Sequence, residues 1–208
     1  MISPPNGSGI FGPHSPPPEF LGHTKFKGVR NQSPGGGGFD AEWLSDPRVK
    51  RGYRKLAERG VPCDLLVTCK QLMETRDLLL EIPELTAIIN HGGRPSVMTG
   101  ELEPWASDMR AIATDTDAYC KVSGLVERAG QEWTTESVRP WVEALLEAFG
   151  PQRLVFASNW PVMTIMGSYI GWWEALNSIL DTVGASSAER QALLGGTAAK
   201  IYGLAGNA

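Results

Sequence analysis

The sequence predicts an α/β fold built on a parallel β-sheet, and two observations carry that prediction. From Phe26 to the C-terminus, short apolar runs alternate five times with stretches of helical character. Each apolar run then ends in polar or charged residues, as in AIINHGGRP at Ala87–Pro95. Strands of a parallel sheet are buried on both faces and read as apolar runs, while functional groups collect at their carboxyl ends. We therefore expect one α/β domain whose site lies along a single edge of the sheet.

Five strands are expected, one in each apolar run. They lie near Phe26–Arg30, Cys63–Thr68, Thr86–Asn90, Ala118–Val122 and Leu154–Ala157. Crossover helices are expected between them, because parallel neighbours in a sheet cannot be joined by a tight hairpin.

The clearest predicted helix lies between Thr134 and Phe149. Its apolar positions recur at intervals of three and four, which places them in one stripe, and Gly150-Pro151 end it. Helices are also expected over Pro47–Arg59 and Lys70–Ile82.

Two signals predict helices near the C-terminus. Ser186, followed three places later by Glu189, forms a capping box that begins the penultimate helix. Gly195-Gly196 end that helix, and a short helix is expected to follow through Ala199 and Tyr202.

The composition favours one soluble globular domain. The chain of 208 residues has a formal net charge of −4 and 42% hydrophobic residues. It has no cluster of Lys and Arg along one face, which disfavours nucleic-acid binding. No apolar stretch approaches the roughly 18 residues of a membrane span, and the N-terminus lacks the pattern of a secretory signal. We therefore expect a cytoplasmic protein.

Two segments lie outside the regular pattern. Residues 1–24 hold six of the fifteen prolines, a composition that favours a disordered leader ahead of a domain over residues 25–208. Gly35–Gly38 lack the Lys-Ser/Thr step of a phosphate-binding loop, which favours a flexible loop there.

The cysteines are expected to be free thiols. Their number is odd, and they lack the paired C-x-x-C spacing of a structural zinc site. They are Cys63, Cys69 and Cys120.

His91 is the strongest candidate for chemistry. It directly follows a predicted buried strand, and Gly92-Gly93 then turn the backbone. A neutral imidazole at that place could ligate a metal ion or relay a proton, whereas the alternative is a histidine that is simply hydrogen-bonded within the rim. Arg94 is close enough in sequence to join it.

Arg30 and Lys121 also follow apolar runs. The guanidinium of Arg30 could fork onto a carboxylate or carbonyl oxygen of a ligand, or pair with a neighbouring carboxylate of the rim. Lys121 could polarise a carbonyl group, or pack its aliphatic stem against the sheet and leave its ammonium in solvent.

Asn159 and Trp160 follow the last predicted strand. An amide donates and accepts hydrogen bonds but takes no proton from water at neutral pH, so Asn159 can orient a substrate but cannot be the general base. Trp160 offers an apolar wall for a ring-shaped substrate, and packing within the fold is the alternative interpretation.

Five segments, in order, resemble the amidohydrolase-related family. They are FKGVRN at 26–31, CDLLV at 63–67, INHGGRP at 89–95, CKVSGL at 120–125 and FASNWPV at 156–162. The resemblance runs from about Lys25 to Leu204, and it is nearest to the branch of TIM-barrel metal-dependent hydrolases that includes sugar lactonases. Each motif alone is weak, whereas five in the expected order indicate kinship.

The resemblance implies a partial (β/α)8 TIM barrel, with about five β/α units from the C-terminal part of the barrel. It implies hydrolysis of a lactone or similar cyclic carbonyl substrate by metal-assisted attack of water. One divalent metal ion, with zinc as a candidate, would be the cofactor. The implied catalytic residues are His91, Lys121 and Asn159, with His91 also a metal ligand, and the implied substrate-binding residues are Arg30, Arg94 and Trp160.

The chain also departs from the family pattern. The opening His-x-His strand is not found, because the other histidines, His14 and His23, lie in the leader without that spacing. Asn31 stands where the lactonase-like pattern has His, and Asn90 and Asn159 stand where it has Asp. About three β/α units would be missing, so we expect a truncated barrel that associates with itself through open sheet edges.

Two further functions stay open at this point. A catalytically inactive barrel fragment or degenerate homologue fits the missing His-x-His motif and the amide at Asn159. A metal-dependent decarboxylase on the same scaffold would need no strong base to activate water.

Overall fold

A computed structural model describes residues 22–32 and 43–204 of the chain. Within these residues, five strands form one parallel sheet in the order β1-β2-β3-β4-β5. The strands span Val29–Gln32, Cys63–Leu66, Ala87–Ile89, Tyr119–Val122 and Leu154–Phe156. The five predicted strands are therefore confirmed, and their order is that of consecutive strands in a (β/α)8 barrel.

The first strand begins later than predicted, at Val29 rather than at Phe26. The Phe26 N–H donates to the His23 carbonyl in a turn, so it is not available to pair with β2. Gly28 then passes close to the neighbouring backbone, since a Cβ there would lie 2.8 Å from the Pro62 carbonyl oxygen.

Helices follow the strands as the crossovers require. The α-helices of the described residues are α1 Pro47–Glu58, α2 Leu72–Glu81, α3 Trp105–Asp115, α4 Val126–Ala129, α5 Thr135–Phe149, α6 Tyr169–Thr182, α7 Ser187–Gln191 and α8 Thr197–Ile201. Short 3-10 turns lie at Trp43–Ser45, Cys69–Gln71, Asn90–Gly93, Val97–Thr99, Pro151–Arg153 and Val162–Ile165, and a π-turn lies at Ala192–Gly196.

Side chains and glycines cap the helices α5 and α7 near their predicted boundaries. The Thr134 side chain accepts a hydrogen bond from the Ser137 N–H at the start of α5, and Gly150 ends that helix with φ 66°. Ser186 and Glu189 form the predicted capping box of α7. These bonds satisfy backbone N–H groups that a first helical turn leaves without partners.

The two faces of the sheet differ in chemistry. The face toward the helices is apolar and carries Cys63, Leu65, Ile89, Cys120 and Val122, all within the main core. Strand register aligns residues of the opposite face, which we call the inner face, and these include Arg30, Asp64, Ile88, Tyr119 and Lys121. The inner face is therefore where ionisable side chains from different strands meet.

Several other predictions can be compared with the described residues. The three cysteines are free thiols, as predicted. No helix of the described ranges is long and apolar enough to cross a membrane. The predicted leader lies outside the described residues except for residues 22–24, and the Gly35–Gly38 loop lies wholly outside them.

Candidate active site

The candidate site forms where β3 ends and the chain turns through Asn90–Gly93. His91 adopts a left-handed backbone conformation with φ 55°, and Gly92 follows with φ 56°. A residue other than glycine rarely adopts this conformation, so the surrounding structure must hold it. Trp105 of α3 contributes by donating from Nε1 to the Gly92 carbonyl at 2.7 Å.

Both ring nitrogens of His91 have protein neighbours. Nδ1 lies 2.9 Å from Ser123 Oγ, at the end of β4, and Nε2 lies 3.5 Å from Nη2 of Arg30 in β1. Gly124, with φ 70°, makes this close approach possible, because a Cβ there would lie 2.6 Å from the Cβ of His91. Three strands thus contribute to the position of one imidazole.

The imidazole of His91 is neutral near pH 7. Burial lowers its pKa from 6.5 to about 3, and neighbouring positive charges add to the effect. Those charges belong to Arg30, Lys121, Arg94 and Arg128. His91 therefore acts as a hydrogen-bonding group in this structure, and proton transfer through it would require an anion nearby to raise its pKa.

Lys121 is held in an ion pair. Its ammonium contacts the carboxylate of Asp64, whose side chain is only 1% exposed. Tyr202, which follows α8, donates to the other carboxylate oxygen of Asp64 at 2.5 Å. The Tyr202 ring also lies 5.6 Å from Nζ of Lys121. For Lys121 to polarise a substrate carbonyl, its ammonium would have to exchange or share this partner.

Two more guanidinium groups stand beside the His91 turn. Arg94 ends the turn with a left-handed φ of 57°. Arg128 in α4 donates from Nη1 to the Pro95 carbonyl at 3.4 Å. Burial lowers the pKa of Arg128, and the charge of Arg94 adds to the effect.

Asn159 lies at the same edge of the sheet as His91, with β4 between their strands. Its backbone is left-handed, with φ 58°, and its Nδ2 donates to Oε1 of Glu127 at 2.8 Å. The segment after β4 therefore touches both groups, since Ser123 binds His91 and Glu127 binds Asn159. Trp160, next to Asn159, is 70% exposed and thus does not pack into the core.

Sequence reasoning missed several residues of this site, among them Asp64, Glu127, Arg128 and Tyr202. Asp64 had a signal, because an acid within the apolar run CDLLV is unusual unless it is paired. The other three lie after strand motifs or near the C-terminus and join the site only through the fold. Asn31, which the sequence marked as a departure from the family pattern, binds groups other than His91. Its Nδ2 donates to the Tyr53 hydroxyl at 2.5 Å, and its Oδ1 accepts from the Leu66 N–H at 3.0 Å.

The described residues do not fit a divalent metal ion. Among them no group of three His, Cys, Asp or Glu side chains is arranged to hold one. His91, the predicted ligand, points Nδ1 at Ser123 and Nε2 at the cationic Arg30. A second cation would be repelled there, and structural or catalytic zinc sites need at least three protein ligands. The role of His91 as a metal ligand stays a prediction, and the described ranges offer it no group of partner ligands.

Comparison with known proteins identifies relatives for most of the chain. The family model described as Amidohydrolase matches residues 19–204. The chain is 35% identical over 190 residues to an uncharacterised protein of Sinorhizobium fredii, covering 88% of this chain and 63% of the relative. It is 31% identical over 196 residues to an L-fucono-1,5-lactonase of Burkholderia multivorans, and the match covers 87% of this chain and 64% of that relative.

A solved structure supports the same relationship. The crystal structure of an amidohydrolase from Burkholderia multivorans with bound zinc superposes with a TM-score of 0.79 at 30% identity, over 87% of this chain and 66% of that one. The predicted fold class, a partial TIM barrel with five parallel strands, is thereby confirmed. The chain spans less than two thirds of the length of the curated relatives it matches.

Proposed function

Because the chain belongs to the amidohydrolase family, we propose that it acts as a hydrolase of lactones or similar cyclic carbonyl compounds. The observation that carries the proposal is the pairing of a neutral His91, which follows β3, with the Arg30 guanidinium of β1, 3.5 Å apart across β2. The similarity to L-fucono-1,5-lactonases supports the choice of a lactone.

Arg30, held in position by His91, supplies the electrostatic part of the reaction. A lactone carbonyl gains negative charge on its oxygen as water attacks, and fixed donors lower that barrier. The Arg30 guanidinium, a rigid fork of N–H donors, donates to this oxygen. Because a guanidinium only donates, Nε2 of His91 accepts from Arg30, and the ring proton lies on Nδ1, which donates to Ser123 Oγ. His91 therefore holds Arg30 in position.

Attack by water also needs a proton acceptor. Asn159 cannot serve, because an amide does not take a proton from water. The Glu127 carboxylate, which accepts from Asn159 at 2.8 Å, is the group at this edge that can do so. In the proposed mechanism Asn159 positions Glu127, Glu127 accepts a proton from the attacking water, and Arg30, held by His91, stabilises the oxyanion. The ring C–O bond then breaks as the carbonyl reforms, and Glu127 returns the proton to the leaving oxygen. No step uses a metal ion, because the described residues do not fit one.

The direct test is lactone hydrolysis by the purified 208-residue chain, followed as acid release. The panel contains 1,4- and 1,5-lactones, including L-fucono-1,5-lactone, each with added zinc and with a chelator. We expect kcat/KM to fall at least about a hundredfold in Arg30→Met and in Glu127→Gln, as for other oxyanion donors and general bases. Arg110→Gln, on an exposed part of α3, is the matched control and should leave kcat/KM unchanged.

A second candidate is a non-catalytic homologue. The observation that favours it is that the described residues contain no group of ligands for a metal ion, whereas a related structure contains zinc. Folded protein that hydrolyses no lactone under either metal condition would reject the hydrolase proposal and leave this candidate. Release of carbon dioxide from aromatic acids in the same preparation would instead favour the decarboxylase.

A further inference from the structure

A cavity of about 180 Å³ lies at the end of the sheet opposite to His91. It opens between the last turns of α2 and α3, beside the loops that lead into β3 and β4. His91 follows the carboxyl end of β3, whereas these loops precede the amino ends of β3 and β4. The cavity is therefore separate from the candidate active site, and a ligand in it would not compete with a substrate there.

The buried part of the cavity lining is apolar. It consists of Leu79, Ile82, Leu85 and Ala118, which belong to the main core. Leu80 also lines the cavity and is 48% exposed, so the apolar surface continues from the core to the solvent. A cavity of about 150 Å³ in another protein holds benzene, and the present volume thus accepts one benzene-sized ring or a branched alkyl group.

The rest of the lining is electronegative. α2 and α3 both end at the cavity, and neither helix has a basic residue in its last turn. The C-terminus of a helix carries about half a negative elementary charge, because its last carbonyl groups lack partners within the helix. Asp115, at the end of α3, and Asp117, in the loop that follows, add two carboxylates to the lining.

The arginines beside the cavity leave one of these carboxylates without a counter-charge. Arg76 is shared, because its Nε contacts Asp115 at 2.6 Å and its Nη1 contacts Asp77 at 3.4 Å. Arg153 donates to a backbone carbonyl of the loop after α3 at 3.0 Å. Asp117 forms no ion pair within residues 22–32 and 43–204. The cavity therefore combines an apolar interior with a negative charge that a cationic ligand can neutralise.

We propose that this cavity binds a small organic cation that carries a primary ammonium group on a ring or a branched alkyl body. The ammonium pairs with Asp117 and donates to the carbonyl groups of the two helix ends, since three N–H donors suit several acceptors. The apolar body covers the buried lining and removes that surface from water. The same negative charge repels carboxylates and phosphates. This site does not depend on the proposed hydrolase function.

The test is a titration of the 208-residue chain followed by amide NMR spectra, because ligands of this size bind weakly and the shifted signals locate the site. The ligands are benzylamine, the neutral benzyl alcohol and the anionic benzoate, which share one ring and differ in charge. We expect saturable shifts at Leu80, Asp117 and Ala118 with benzylamine. Its binding should be at least about fivefold tighter than that of benzyl alcohol, since the ion pair and the helix ends both favour the ammonium.

Two variants, each with a matched control, test the lining. Asp117→Asn should weaken benzylamine binding at least about threefold, whereas Asp108→Asn, near the opposite end of α3, should leave it unchanged. Leu80→Lys brings an ammonium of the chain itself to the cavity and should weaken the binding at least about threefold by repulsion. Met73→Lys, at an exposed position near the start of α2, should leave it unchanged. If one variant fails to fold, the other decides.

Several outcomes would overturn the proposal. Shifts that do not saturate, shifts confined to residues away from the cavity, or equal binding of benzylamine and benzyl alcohol each do so. Unchanged benzylamine binding in Asp117→Asn and Leu80→Lys has the same consequence. Tighter binding of Nα-acetyl-lysine amide than of benzylamine, with shifts of the same amides, overturns the small-molecule assignment in favour of a lysine side chain of a protein partner. Loss of lactone hydrolysis alone does not bear on this site.

Discussion

The ammonium of Lys121 and the carboxylate of Asp64 form an ion pair across the inner face, joining β4 to β2 over the intervening strand β3. Only 12% of the Lys121 side chain and 1% of the Asp64 side chain are exposed. The Tyr202 hydroxyl binds the second oxygen of Asp64 and connects the pair to the C-terminal end of the described chain. Lys121 is therefore part of a structural network on the inner face.

Breaking this pair should destabilise the protein strongly. Asp64→Asn leaves the Lys121 ammonium largely buried without its counter-charge, and we expect the free energy of unfolding to fall by about 3–5 kcal/mol in urea titrations. The double variant Asp64→Asn/Lys121→Met should regain part of that loss. Glu136→Gln, in an exposed pair with Arg139, is the control and should cost less than about 1 kcal/mol. Similar losses of unfolding free energy in Asp64→Asn and Glu136→Gln would contradict this account.

The depressed pKa of His91 predicts a pH dependence of stability. The folded state holds the imidazole neutral down to about pH 3, whereas the unfolded state takes up its proton near pH 6.5. Falling pH therefore favours unfolding between about pH 6.5 and pH 3, by up to about 1.4 kcal/mol per pH unit. The free energy of unfolding of His91→Gln should depend less steeply on pH in that window. His23→Gln, at an exposed position, should keep the wild-type slope, and equal slopes for all three proteins would contradict the prediction.

Two glycines with the same backbone conformation allow a matched test of the contact with His91. Gly124 has φ +70° and Gly184 has φ +69°, but a Cβ at Gly124 would lie 2.6 Å from the Cβ of His91, while a Cβ at Gly184 meets nothing within 4 Å. Both alanine variants carry the strain of a positive φ, about 1 kcal/mol. Gly124→Ala should lose at least about 1–3 kcal/mol more in thermal or urea unfolding, because His91 or β4 must move. Equal losses would mean that this contact is not tight.

The bond between Asn159 and Glu127 predicts the effect of introducing a carboxylate. Asn159→Asp replaces the donor by a second acid within hydrogen-bond distance of Glu127, so the pKa of one of the two acids should rise. When the folded state raises the pKa of an acid, the folded protein is destabilised at pH values above that pKa, where the acid must be charged. The destabilisation becomes smaller as the pH falls below it, because the acid is then protonated. The variant should therefore be less stable than the wild type at pH 8, and the difference should shrink at pH 5. Asn159→Ala carries no charge and should show a deficit that is the same at both pH values.

Exposed apolar side chains next to β5 predict self-association. Trp160, Ile165 and Ile170 are 70%, 68% and 59% exposed, and they lie in one segment after this edge strand. Apolar surface beside an unpaired strand edge favours contact with a second copy. Light scattering should give a mass above the 22.5 kDa of one chain, and Ile165→Asp should lower it. Leu80→Asp, on α2 away from β5, should not change it, and a wild-type mass of one chain would contradict the prediction.

The sequence alone determined the local elements and their order. Apolar runs located all five strands, because the strands of a parallel sheet covered by helices are rich in apolar residues. Gly150 located the end of α5 and Ser186 located the start of α7, since both act on backbone groups a few residues away. The predicted end at Gly195-Gly196 was wrong, because α7 ends at Gln191 and a π-turn follows. The position of His91 at the end of β3 was also predicted correctly, because it depends only on the apolar run that directly precedes it.

The tertiary structure decided which side chains meet and in which protonation state. Lys121 meets Asp64 across 57 positions of sequence, Arg30 meets His91 across 61, and Tyr202 meets Asp64 across 138. These pairings depend on strand register and on the return of the C-terminal helix, which no local pattern encodes. The neutrality of His91 is likewise a sum of burial and charges from several elements, so it arises only when the strands assemble.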